Sequence, residues 1–117
     1  MNFDDAVKAH TAWKMKLSGY LNKPDGSLKA AEVECDNRCD LGKWIYGEGV
    51  KYNAQPDFTT LKTEHTKFHK CAAAVVRKAD SGQKVTEEVA LGGASEFSKA
   101  SSAVVGAIMK MKLKVGG

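Results

Sequence analysis

From Pro56 to Ser81 the chain carries one unbroken helical pattern, and this pattern constrains the fold more than any other feature. Phe58, Leu61, His65, Phe68, His69, Ala72, Val75, Val76 and Ala79 recur at steps of three and four. At about 100° per residue they share a single face. Pro56 suits a first helical turn, and Ser81-Gly82 stops the run. A long helix with one apolar stripe must bury it against something, and the rest of the chain supplies further helices. Phe3, Ala6, Val7, His10, Trp13, Leu17, Tyr20 and Leu21 form a second stripe, capped by Asn2 or Asp4 and ended by the turn Pro24-Asp25-Gly26. Val89, Gly93, Phe97, Ala100, Val104, Ala107, Ile108 and Met111 form a third.

The stretch from Ser27 to Gly49 is irregular and reads as one or two short turns between loops. No segment alternates with period two for long, and hairpin signals are absent. The prediction is an all-α four-helix bundle of three long helices and one short, irregular, cysteine-bearing helix. One domain spans residues 1–117, with helices over about 2–22, 56–80 and 86–112, an irregular stretch over 28–46, and a basic, frayed tail over 110–117. Gly92-Gly93 and Gly106 each cost about 1 kcal/mol in a helix interior, so they predict close helix contact or a kink.

At 117 residues there is room for one domain only. The net charge of +4 comes from lysines spread among acids along the helix backs. Only Lys110, Lys112 and Lys114 cluster, and no aromatic-basic stripe or reading helix accompanies them, so nucleic-acid binding is a remote alternative and the prediction is no nucleic acid. No run nears the ~18 apolar residues of a membrane span, and the start of the chain lacks the pattern of a secretory signal, so the expectation is a cytoplasmic protein with no membrane partner.

The chemistry lies in two scarce residue types. There are 3 His and 3 Cys in the chain. An odd cysteine count argues against a disulfide framework and for free thiols or metal ligation. All three histidines sit on apolar stripes, where an unpartnered imidazole costs about 1–3 kcal/mol. A single histidine there is more often a hydrogen-bonded core residue than a ligand. Three of them, two at i and i+4 on one helix, with a cysteine in a turn flanked by glycine and tryptophan, favour a metal. His10, Cys39, His65 and His69 make a soft nitrogen–sulfur set suited to tetrahedral zinc.

Four protein donors close the shell and leave no position for a substrate water. His65-Thr66-Lys67-Phe68-His69 also has Thr66 where the H-E-x-x-H protease motif needs glutamate. The chain is therefore read as no enzyme. Trp13 and Trp44 are candidate walls keeping water from the site. Asp40, with Asp36 and Glu64, is a candidate acceptor for imidazole N–H groups. Cys35 is four residues from Cys39 and could resolve it as a disulfide, but a plain free thiol is the simpler reading. Cys71 points away from the ligand face and reads as a packing cysteine.

Arg38-Cys39-Asp40-Leu41-Gly42-Lys43-Trp44-Ile45-Tyr46-Gly47 resembles the C-x-L-G-x-W-x-x-G motif of the chemoreceptor zinc-binding (CZB) domain family. His10 with Trp13 matches the family's H-x-x-W, and His65 with His69 its H-x-x-x-H. The resemblance implies that these three histidines and Cys39 are the zinc ligands. It implies a four-helix bundle, a homodimer, and a sensor of zinc or of oxidants such as hypochlorous acid; because zinc would hold Cys39 as the oxidisable thiolate in the least regular segment, Cys39 is the candidate redox switch. It also implies control of a chemotaxis receptor or a diguanylate cyclase, the source of cyclic-di-GMP. No output module is visible, so the chain acts on a separate partner or is a piece of a larger protein. The alternative is a structural zinc module that mediates dimerisation or docking and senses nothing.

Overall fold

The computed structural model describes residues 2–23, 25–82, 91–93 and 95–115. Five α-helices are complete within them: α1 (Phe3–Asn22), α2 (Ala30–Glu34), α3 (Asp40–Tyr46), α4 (Pro56–Asp80) and α5 (Glu96–Val115). A 3-10 helix, Glu48–Tyr52, joins α3 to α4. There is no strand among the described residues, and the all-α bundle is the fold that the periodicity implies.

Each long helix starts where its sequence offers a start signal, a side-chain cap for α1 and α5 and a first-turn proline for α4. The Asn2 side chain accepts from the backbone N–H groups of Asp4 and Asp5 at 2.7 and 3.2 Å, while those two acids face the positive end of the α1 dipole. Pro56 opens α4, where its missing N–H costs nothing. Ser95 Oγ accepts from Ser98 N–H at 3.1 Å and so caps α5. Gly82, with φ +80°, ends α4 in the left-handed conformation that glycine adopts without penalty.

The three long helices pack on one another along α4·α5, α1·α5 and α1·α4, and α2 lies against α4 while α3 touches α1. Leu17, Leu61, Phe68, Val76, Val104, Ile108 and Met111 fill the seam and are fully buried. Truncating such a residue to alanine costs about 2–5 kcal/mol. Tyr20 OH donates to Asp80 and so ties the last turn of α1 to the last turn of α4.

Several expectations change. The irregular stretch over 28–46 is two short helices, and Cys39 is not inside either; it is the residue that caps α3. Gly93 and Gly106 have open space where a Cβ would stand, so close helix contact does not explain them. The helical backbone does break at Gly92 and Gly93, before α5. The basic tail is not frayed through Val115: it is the last turns of α5, with Lys112 Nζ 2.8 Å from Asp4 and Lys114 Nζ 3.9 Å from Asp57. The expected helix start at Thr86 with Val89, the turn residue Pro24, and Gly116 and Gly117 lie outside the described residues.

Candidate metal centre

Helices α1 and α4 bring the three histidines together because each carries them on its buried stripe. His10, His65 and His69 are 2%, 0% and 3% exposed. Their rings meet edge to face, with centroids 5.1 Å apart for His10–His65, 5.8 Å for His10–His69 and 4.5 Å for His65–His69. Cys39 reaches the same point from the mouth of α3. Its Sγ lies 3.2 Å from His65 Nε2 and 3.7 Å from His69 Nε2, and those two nitrogens are 3.0 Å apart. One donor atom from each of the four residues falls within 4.8 Å of all the others.

Local structure explains why the sulfur points there. As the α3 N-cap, Cys39 accepts the Gly42 N–H at 3.4 Å, which fixes the side chain over the first turn. Gly42 is required on steric grounds. A Cβ at that position would stand 1.7 Å from the Asp36 carbonyl oxygen, so only glycine lets the preceding turn fold onto the helix. Without that approach the cysteine would not face α4.

The hydrogen bonds orient the rings. His10 Nδ1 lies 2.7 Å from the Ala6 carbonyl, and His69 Nδ1 lies 2.9 Å from the Val33 carbonyl. Carbonyls only accept, so both rings donate from Nδ1 and turn the Nε2 lone pair inward. His10 Nε2 is buried with no partner, as is His65 Nδ1. His10 Nε2 is a buried lone pair without a donor, which is unfavourable unless a cation sits beside it, whereas His65 meets the cluster through Nε2 and its Nδ1 lies on the far edge of the ring. The spacings among Cys39, His65 and His69 suit zinc, with His10 within 4.8 Å of them: bonds of about 2.0–2.1 Å to nitrogen and 2.3 Å to sulfur in a tetrahedron place donor atoms about 3.3–3.6 Å apart. The observed 3.0, 3.2 and 3.7 Å bracket that range.

The electrostatics leave the donors free to bind a metal. Burial, with the neighbouring His69 and His10, pushes His65 down to about 3, and burial lowers His10 and His69 as well. All three imidazoles are neutral at pH 7. Burial raises the Cys39 thiol, so the isolated site holds it protonated, and a bound cation would have to displace that proton.

A small cleft leads to the cluster. It is about 110 Å³ and is lined by Asp5, Ala6, His10, Cys39, Asp40 and Leu41 among others. Asp40 therefore stands at the entrance. It does not hold an imidazole: the Nδ1 acceptors are main-chain carbonyls, not Asp40, Asp36 or Glu64. The tryptophans also differ from expectation. Trp44 packs against Phe3, Tyr52 and Phe58, and Trp13 is half-buried under the Lys16 ammonium. The aromatic wall of the cluster is Phe68, 5.1 Å from the His10 ring and 5.5 Å from that of His69. Its place on the α4 stripe, three residues after His65, was the available signal. All three cysteines are free; the Cys35 thiol donates to the Ala31 carbonyl at 3.2 Å, and Cys71 is half-buried on α4.

The profile of the chemoreceptor zinc-binding domain family matches residues 10–76, which is more than half of the chain and contains all four donors. Neither the curated proteins nor the solved structures yield a match.

Proposed function

The chain belongs to the chemoreceptor zinc-binding domain family, and from that premise we propose that His10, Cys39, His65 and His69 together hold one Zn2+ in a regulatory sensor domain. The family is regulatory and zinc-binding, not catalytic. The observation that carries the ligand assignment is the convergence of four donor atoms within 4.8 Å, with His10 and His69 turned inward by their carbonyl partners. Four protein donors leave no open position, which favours regulation over hydrolysis.

Zinc bound there keeps the Cys39 sulfur as thiolate, the form that oxidants attack. The proposed signal is zinc supply, oxidation of that sulfur, or both. In a two-electron oxidation, hypochlorous acid transfers Cl+ to the thiolate sulfur and releases hydroxide, and water then displaces chloride from the sulfenyl chloride to give the sulfenic acid and a proton. The cleft beside His10 supports access of so small a reagent to Cys39. His10, His65 and His69 sit on long, packed helices and stay in place. Cys39 sits between short elements, so loss of its thiolate frees α3 rather than the bundle.

The reading extends to a sensor domain in the cytoplasm that controls a chemotaxis or cyclic-di-GMP output. No helix among the described residues is long and apolar enough to cross a membrane. It also includes a homodimer, for which the exposed Met15 of α1 and Met109 and Leu113 of α5 offer apolar surface. The test is metal analysis of chelator-free protein before and after mild hypochlorite. One zinc per chain, released by oxidant together with faster hydrogen exchange in residues 35–50, supports the sensor. Zinc below about half an equivalent contradicts the site. Zinc that survives oxidant with residues 35–50 unchanged makes the domain a structural module.

A further inference from the structure

Outside the donor set, one hydroxyl–carboxylate junction joins every element that places Cys39. Asp36 lies in the turn between α2 and α3, three residues before Cys39. Its Oδ2 accepts from Tyr46 OH at 2.8 Å, at the end of α3, and from Thr66 Oγ1 on α4, the neighbour of His65. Thr66 Oγ1 also lies 3.0 Å from the Lys62 carbonyl. A hydroxyl has one proton, and a charged carboxylate is the stronger acceptor. The same residue's main-chain oxygen is the atom against which Gly42 packs. Asp36 thus holds the start of the Cys39 turn, the end of α3 and the ligand-bearing face of α4 with one side chain and one carbonyl.

We propose that Asp36, through Thr66 and Tyr46, is the positioning latch of the Cys39 segment and sets how readily the sulfur leaves the metal centre. The inference rests on the zinc reading above and goes beyond it to the residues that tune it. Two features make the junction suited to this role. Its bonds are partly exposed, so water competes for them and the latch is weak enough to open. It also lies off the donor atoms, so the segment can swing about it and return the sulfur to the same position. The Lys62 ammonium, 5.2 Å above the Tyr46 ring, adds a second hold on the end of α3.

The experiment compares wild type, Thr66→Ala, Thr66→Ser and Tyr46→Phe, all zinc-loaded and full-length. Alanine is a good helix former and Thr66 is only partly buried, so folding should survive the first change. Chelator competition gives zinc affinity, a thiol-alkylation rate gives Cys39 access, and the cobalt-substituted protein reports the thiolate–metal band. Groups hydrogen-bonded directly to a ligand are worth about 10–100-fold in metal affinity, and Thr66 and Tyr46, which bond Asp36 rather than a donor, act one step further out. The expected result is zinc binding weakened by about threefold to tenfold, below the range for direct ligand partners, with faster alkylation in Thr66→Ala, a smaller shift in Tyr46→Phe, and recovery in Thr66→Ser. Unchanged affinity and alkylation in Thr66→Ala overturn the latch while leaving the zinc centre standing, as does failure of Thr66→Ser to recover. Wild type that binds no zinc removes the underlying reading, and the latch with it.

Discussion

His69 Nδ1 lies 2.9 Å from the main-chain oxygen of Val33, so a ligand-bearing ring of α4 is keyed to α2 by one hydrogen bond. Thirty-six residues separate the partners in sequence. The bond sets the tautomer of His69 and turns its Nε2 toward His65 and Cys39. It also makes α2, only five residues long, part of the site's support. Metal binding and docking of the segment 30–46 should therefore be one event.

Removing zinc is thus expected to loosen residues 30–46 while α4 and α5 keep their protection. Hydrogen exchange with and without chelator checks this. Uniform loosening of the whole bundle, or none, would count against the coupling.

Replacing a donor is expected to exceed the effect of any outer partner. Cys39→Ala should weaken zinc binding by more than about 100-fold, because outer partners alone cost about 10–100-fold. His10→Ala should do the same, although His10 stands on a different helix and 29 positions away in sequence. Competition with a calibrated chelator gives both values.

Two glycines predict opposite outcomes. Gly42→Ala would drive a methyl to within 1.7 Å of the Asp36 carbonyl oxygen, so the turn must open, with loss of the Cys39 cap and of zinc binding. Gly106→Ala meets nothing within 4 Å in the middle of α5 and should stabilise the protein by about 0.5–1 kcal/mol. Urea denaturation of the two variants tests the pair.

The metal-free protein should lose stability as pH falls. The three histidines are held below their ordinary value by burial, His65 at about 3, so the folded state binds fewer protons than the unfolded state once pH drops under about 6.5. Protons then favour unfolding. Each histidine held neutral contributes a slope of up to about 1.4 kcal/mol per pH unit, present from about pH 6.5 down to its folded value. A urea midpoint that stays level from pH 7.5 to pH 5 in chelator would contradict this.

How much of this was legible in the sequence follows from what side-chain identity can encode. His65 and His69 were readable because a helix repeats its face every three to four residues, and both lie on the apolar stripe. His10 and Cys39 were readable as part of a motif. The acceptors of the His10 and His69 protons were not, because Ala6 and Val33 contribute main-chain carbonyls that any residue possesses. Cys39 as a helix cap was hidden for a related reason: cysteine is not a usual cap, and its role here depends on Gly42 lying against the Asp36 oxygen. The tryptophans misled because bulk and proximity in sequence suggested a wall, whereas packing gave that place to Phe68. The tail misled because its lysines read as solvated, while Lys112 finds Asp4 across 108 positions.

X-ray absorption at the zinc edge on the purified full chain tests the central claim most directly. The account predicts one zinc per chain with three nitrogen scatterers at about 2.0 Å and one sulfur at about 2.3 Å, the sulfur disappearing in Cys39→Ala. A shell of nitrogen and oxygen alone in the wild type, or a sulfur that persists without Cys39, would contradict it.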